Sequence, residues 1–246
     1  MTGRDRFLAA LAGEGLAFAP IVWEGLPALI HQEQADWWRD PTVGQRMIAD
    51  AAALAGADAM FVFAAAEVVR SAVAEGARGD AALDALASLK DARHGPELVQ
   101  ALRATARHAV IAAVPSPGTL QRELGSEDSD AAEDAFTDFV TRFLEAGADA
   151  VAVTSTESLE LNGAMDRAVR LVELFGRGLV AVLSGEDGDT KAWDEQGEPL
   201  GVITSEGDWP DRASGVVITP GDVSARWDAA QLRAVGKARP SGISSP

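Results

Sequence analysis

Polar side chains follow the apolar runs of this chain in clusters: Trp23 with Glu24; Ser116, Thr119, Arg122 and Glu123; Ser155 with Glu157; Ser184 with Glu186; Thr204 with Glu206; Thr219 with Asp222. Carboxylates that converge in a cleft do general acid–base work when burial raises one pKa toward neutrality. Glu24, Glu123 and Glu206 are the candidates for that chemistry. Trp23 beside Glu24 offers an aromatic plate and a charge, a pairing that holds a planar or cationic ligand. Ser116, Thr119, Ser155 and Thr204 stand as substrate-binding groups, and Arg122 could take a substrate carboxylate through its guanidinium fork. Each has a plainer reading as well. A Ser, Thr or Glu just past a strand also caps the next helix or solvates a loop, Trp23 can pack at a rim, and Arg122 can pair with Glu123, Glu127 or Asp128.

The elements that would position these groups alternate. Short runs rich in Val, Ile and Ala lie at Ala19–Trp23, Ala57–Phe63, His108–Val114, Asp149–Thr154, Gly178–Leu183, Pro199–Thr204 and Ser214–Thr219. Ala-rich helical stretches separate them at Pro41–Ala55, Asp80–Lys90, Pro96–Arg107, Ala131–Ala146 and Asn162–Phe175. That alternation is expected of parallel β/α units, and ligand sites of such barrels form at the C-terminal ends of the strands. Only seven strands are legible, one short of closure. Gly185–Glu198 reads as a tight acidic loop or hairpin, a better lid than a catalytic platform. The expectation is therefore an α/β TIM (β/α)8-like barrel, incomplete or distorted in its C-terminal half, with one domain over 1–240 and a disordered tail at 241–246.

Composition narrows the partners. The chain has 246 residues, 47% of them hydrophobic, and 38 acidic against 21 basic side chains give a formal net charge of −17. Such a field repels nucleic acid backbones and anionic membrane surfaces. No cysteine is present, which removes disulfides, thiolate nucleophiles and zinc-thiolate sites together. No run reaches the roughly 18 apolar residues of a membrane span, and Arg4, Asp5 and Arg6 precede too short an apolar run for a signal peptide. A cytoplasmic protein acting on a small molecule is expected, with a second copy or a partner protein as a further contact.

Arg6-Phe7-Leu8-Ala9-Ala10-Leu11 with Gly13 behind it, the Ala-Gly-Ala-Asp-Ala blocks at Ala55–Ala59 and Ala146–Ala150, and Pro117-Gly118-Thr119-Leu120 after the third strand resemble the uroporphyrinogen decarboxylase superfamily. That superfamily includes the heme-pathway decarboxylase and the corrinoid-dependent methyltransferases. The resemblance implies a barrel and a lyase of decarboxylase type, with methyltransferase activity as an alternative. Its active residues do not carry over. Glu24-Gly25-Leu26-Pro27-Ala28 stands where the decarboxylase has its arginines, its aspartate falls near Ala65, and its tyrosine falls at Glu123. The zinc that the methyltransferases hold with His and Cys lacks its thiolates. The reading that follows is metal-free and cofactor-free carboxylate chemistry on a small organic substrate, decarboxylation first. The rival reading is a catalytically degenerate barrel that binds or assembles with a partner.

Overall fold

The computed structural model describes residues 1–30, 36–105, 107–155, 163–184, 190–194, 199–203, 209–211, 214–219 and 227–238. Its strands are β1 (Leu16–Ala19), β2 (Ala59–Val62), β3 (Ala109–Pro115), β4 (Ala150–Ser155), β5 (Gly178–Ser184), β6 (Thr190–Asp194), β7 (Gly201–Val202) and β8 (Gly215–Ile218). The helices are α1 (Gly3–Leu11), α2 (Leu26–Leu29), α3 (Pro41–Ala55), α4 (Ala64–Ala74), α5 (Asp80–Ala85), α6 (His94–Thr105), α7 (Pro117–Leu124), α8 (Ser129–Glu145), α9 (Gly163–Leu174) and α10 (Ala229–Lys237). The expected helix over Asp80–Lys90 is α5 followed by short 3-10 turns. The tail 241–246 and Asn162, the first residue of the expected fifth helix, lie outside the described residues.

Two sheets form, in the orders β1-β8-β7 and β2-β3-β4-β5-β6. Every pairing is parallel except β5 with β6. Among the described residues no continuous ladder closes a barrel. The chain nonetheless bridges the two sheets, because the Asp58 amide ahead of β2 donates to Phe18 O of β1 at 2.8 Å. The first strand differs from its expected place. It runs Leu16–Ala19 and stops where Pro20, without an amide hydrogen, cannot extend a ladder. Ile21, Val22 and Trp23 continue the apolar run as buried irregular chain, and the Ile21 amide finds Thr219 Oγ1 at 2.9 Å. The acidic stretch after β5 contains the strand β6, so that part of it returns as a hairpin.

Alternation along the strands sorts the apolar residues into two layers. Ala59 and Phe61, Ala109, Ile111 and Ala113, Ala150 and Ala152, and Val216 and Ile218 share one face with Phe7 and Ala10 of α1. Met60, Val62, Val110, Val114, Val151, Val153 and Val217 point the other way, onto the helices. The inner layer is rich in alanine, and α1 packs against it beside the N-terminal ends of β2 and β3.

The same short block builds that end twice. Gly56 and Gly147 take positive φ, 62° and 97°, where helices α3 and α8 end, a conformation glycine adopts without the Cβ penalty. Two residues on, Asp58 and Asp149 are wholly buried. Asp58 Oδ2 accepts from the Phe18 amide at 3.0 Å, and Asp149 Oδ2 accepts from the Val110 amide at 3.1 Å. Each carboxylate then anchors α1, through Arg6 on Asp58 at 2.7 Å and Arg4 on Asp149 at 2.9 Å.

His108 lies half-buried beside this end, next to a small void lined by Ile48, Ala52, Met60 and Leu102. Burial holds its pKa below the ordinary 6.5; Asp58 opposes this, while Arg6 and Arg107 add to it. Because the folded state resists the proton that the unfolded chain accepts, the unfolded chain binds more protons just below that value, and stability is lost there as the pH is lowered. Urea midpoints measured across the window below pH 6.5 should therefore decline. The variant His108→Gln should lose that part of the slope, and an unchanged slope would assign it to other groups.

Candidate functional site

Among the described residues, the C-terminal ends of β1 and β2 carry a dense set of polar and aromatic groups. After Pro20 the chain turns through Trp23 and Glu24 into α2; after β2 it passes Phe63 directly into α4, whose first turn presents Glu67. Trp23 is 3% exposed, so it is not an open plate. Its ring packs at 4.5 Å from Trp37 and 6.0 Å from Phe63, and its indole Nε1 donates to Glu67 Oε1 at 2.9 Å. Arg70, one turn further along α4, places Nη1 on the same Glu67 oxygen at 2.9 Å and Nη2 on Glu24 at 3.0 Å. Glu67 thus has an indole and a guanidinium on one oxygen while its side chain keeps 19% exposure. Phe63, half-buried, packs on both apolar layers and so marks the rim of the strand interior.

The remaining expected groups divide. Ser116 and Thr119 come together, but as a cap: Ser116 Oγ accepts from the Thr119 amide at 3.2 Å and lies 3.0 Å from its hydroxyl, with Pro117 at the first helical position of α7. Arg122 and Glu123 lie exposed on α7. Ser155 closes β4 and is buried. Glu24 is 62% exposed and held by Arg70. Thr204 and Glu206, with Glu157, Glu186 and Asp222, lie outside the described residues.

Glu67 and Arg70 were not among the expected site residues, because that reading took only the residues leaving each strand. The available signal was the spacing: Glu67 stands two positions beyond Ala65, where the resemblance puts its aspartate. A second network flanks the first. Arg39 lies over the Trp38 ring at 5.3 Å, bonds Ser71 Oγ at 3.0 Å and pairs with Asp91 at 2.7 Å, and the His94 ring meets Trp38 edge-on at 6.2 Å. Trp37 and Trp38 are buried.

The zinc site of the methyltransferase branch does not fit this chain. Its thiolates are missing, and among the described residues no three His, Asp or Glu side chains converge as metal ligands. His31 lies outside those residues. No helix among the described residues is long and apolar enough to cross a membrane.

No family model matches the chain, and no curated protein matches it. Solved structures do. A methyltransferase from Methanosarcina mazei superposes with a TM-score of 0.67 at 13% identity, covering 97% of this chain and 98% of that one. The homocysteine methyltransferase of Escherichia coli in its apo form gives a TM-score of 0.47 at 13% identity, over 95% and 99% of the two chains. The tryptophan synthase alpha chain of Legionella pneumophila gives 0.45 at 12%, over 97% of each. At such identity the likeness speaks for the fold alone. This chain shares its α/β fold, along nearly its whole length, with the Methanosarcina mazei methyltransferase.

Proposed function

We propose that this chain binds a small cationic organic molecule at the rim formed by Phe63, Glu67 and Arg70, and acts on it as a methyltransferase-type enzyme. The observation that carries the reading is Glu67, a carboxylate fixed by the Trp23 indole N–H and Arg70 and partly open to solvent. A charged carboxylate suits a methylated ammonium or sulfonium group, and the field of a −17 chain draws cations toward it. In a displacement at such a group the methyl passes to a nucleophile and the onium leaves as a neutral amine or sulfide. Glu67 would recognise the charge and not move a proton. The methyltransferase relative supports the reaction class by analogy of fold only, and decarboxylation has no residue in this rim to perform it.

Tetramethylammonium and trimethylsulfonium are expected to raise the melting temperature, since a ligand of the native state stabilises it. Glu67→Gln keeps the shape, removes the charge, and should weaken binding by about tenfold or more, the scale of a hydrogen-bonded charge. Stabilisation by small carboxylic acids or tetrapyrroles with no response to either cation would overturn the reading. The exposure of Glu24 and Glu123 favours a second reading, a barrel that binds a partner without catalysis. That reading requires a chain that no small molecule stabilises.

A further inference from the structure

The opposite end of the strands holds a cluster that the proposed rim does not use. Arg4 of α1, Arg103 of α6 and Arg177 ahead of β5 converge on the single carboxylate of Asp149. Arg4 Nε lies 2.9 Å from Oδ1, Arg103 Nη1 lies 3.2 Å from Oδ2, and Arg177 Nη1 lies 3.8 Å from Oδ1. The Val110 amide occupies Oδ2 as well. Arg4, Arg103 and the Val110 amide fill three of the about four lone-pair sites that a carboxylate offers, and Arg177 stands beyond hydrogen-bond distance. One negative charge therefore faces three guanidiniums.

That imbalance is expensive for a part that serves only to hold helices. One arginine neutralises Asp149; each further one adds repulsion at short range in a partly desolvated setting. The Arg177 Nε–H is buried with no acceptor at all. Burial pushes the Arg103 pKa down, Asp149 holds it up, and the Arg4 and Arg177 charges press it down again. The three side chains remain 23–30% exposed, which leaves their outer N–H groups within reach of solvent. Arg6 and Arg107 add to the charge of this face, against Asp58 and the exposed Asp5. A basic patch on so acidic a chain is a local field of opposite sign to the whole.

We propose that Arg4, Arg103 and Arg177 form a binding site for a phosphate group, free or as the monoester of a small molecule, on the N-terminal face of the sheet. A tetrahedral oxyanion presents several acceptor oxygens to planar forks, more than a single carboxylate that already accepts from Arg4, Arg103 and Val110 can offer. Bound there, it bridges α1 to α6 and β5 and supplies the missing negative charge. The site is independent of the rim at Glu67.

The test is calorimetric titration of the full chain with inorganic phosphate and with phenyl phosphate, each against sodium chloride at matched ionic strength. Saturable phosphate binding is expected, with a rise in melting temperature that chloride does not reproduce. Arg103→Gln and Arg177→Gln should each weaken it about tenfold or more. Arg78→Gln, at a side chain that bonds the Val73 and Ala77 carbonyls, and Glu67→Gln should leave it intact. Tighter binding of phenyl phosphate assigns the site to a monoester, and equal binding assigns it to the free ion. An equal effect of chloride, or phosphate binding that survives both arginine variants, overturns the proposal. If either variant does not fold, the parent chain still decides: the absence of saturable heat with phosphate overturns it.

Discussion

Asp149→Ala is expected to cost about 3–5 kcal/mol of stability, the scale set by removing one partner of a buried ion pair. Three arginines would lose their shared counter-charge and the Val110 amide its acceptor. For a chain of this length that corresponds to a fall in melting temperature on the order of 10 °C. Glu24→Ala, which breaks an ion pair exposed at both partners, should change stability by less than about 1 kcal/mol. Urea unfolding of the two variants beside the parent measures the contrast. Adding Arg4→Ala to Asp149→Ala should recover part of the loss, because one uncompensated charge leaves with it. A cost below about 1 kcal/mol for Asp149→Ala would mean that the carboxylate is not the anchor that its burial indicates.

Asp149 also explains why one motif was legible in the sequence. Ala-Gly-Ala-Asp-Ala joins a helix end to a strand start, and each residue has a reason: glycine for the positive φ, alanines for the close fit, aspartate to bond the neighbouring strand and α1. Those constraints are local, so both copies appear in the chain as a repeated word. The strands behind them were legible for the same reason, being short, apolar and preceded by that word.

The first strand and the rim were misread because their determinants are not local. Ile21-Val22-Trp23 has the composition of a strand, yet Pro20 has removed the ladder and a side chain from the far end of the sequence, Thr219, satisfies the Ile21 amide. Trp23 looked like an exposed plate because Glu24 follows it. Its ring in fact meets Trp37 and Phe63, and its indole proton goes to a carboxylate 44 positions away. Glu67 lies on α4, a helix that begins without a side-chain cap in a run of alanines and so carries no local start signal. The strand Thr190–Asp194 pairs antiparallel with β5, the hairpin alternative of the loop-or-hairpin expectation for this acidic segment.

Phe61→Ala should rival Asp149→Ala in cost, again about 3–5 kcal/mol, for the opposite physical reason. Phe61 is 1% exposed and projects into the inner layer, where its neighbours are mostly alanine. Alanine side chains have no rotamers with which to swing into a void, so the cavity left by the ring would stay largely open and most of its contacts would be lost. Phe61→Leu should cost less, because it keeps much of the volume. The change also reaches the rim, since the Phe61 ring stacks on Phe63 at 5.9 Å and an interplanar angle of 26°. Loss of that support should weaken the binding of tetramethylammonium at Glu67 while leaving phosphate binding at Arg103 and Arg177 unchanged. Those paired titrations, with urea unfolding of the two variants, separate a ring that merely fills space from one that also holds the rim in place. If Phe61→Ala left cation binding at parent strength, the aromatic stack would belong to the core alone and Glu67 would owe its position to Trp23 and Arg70.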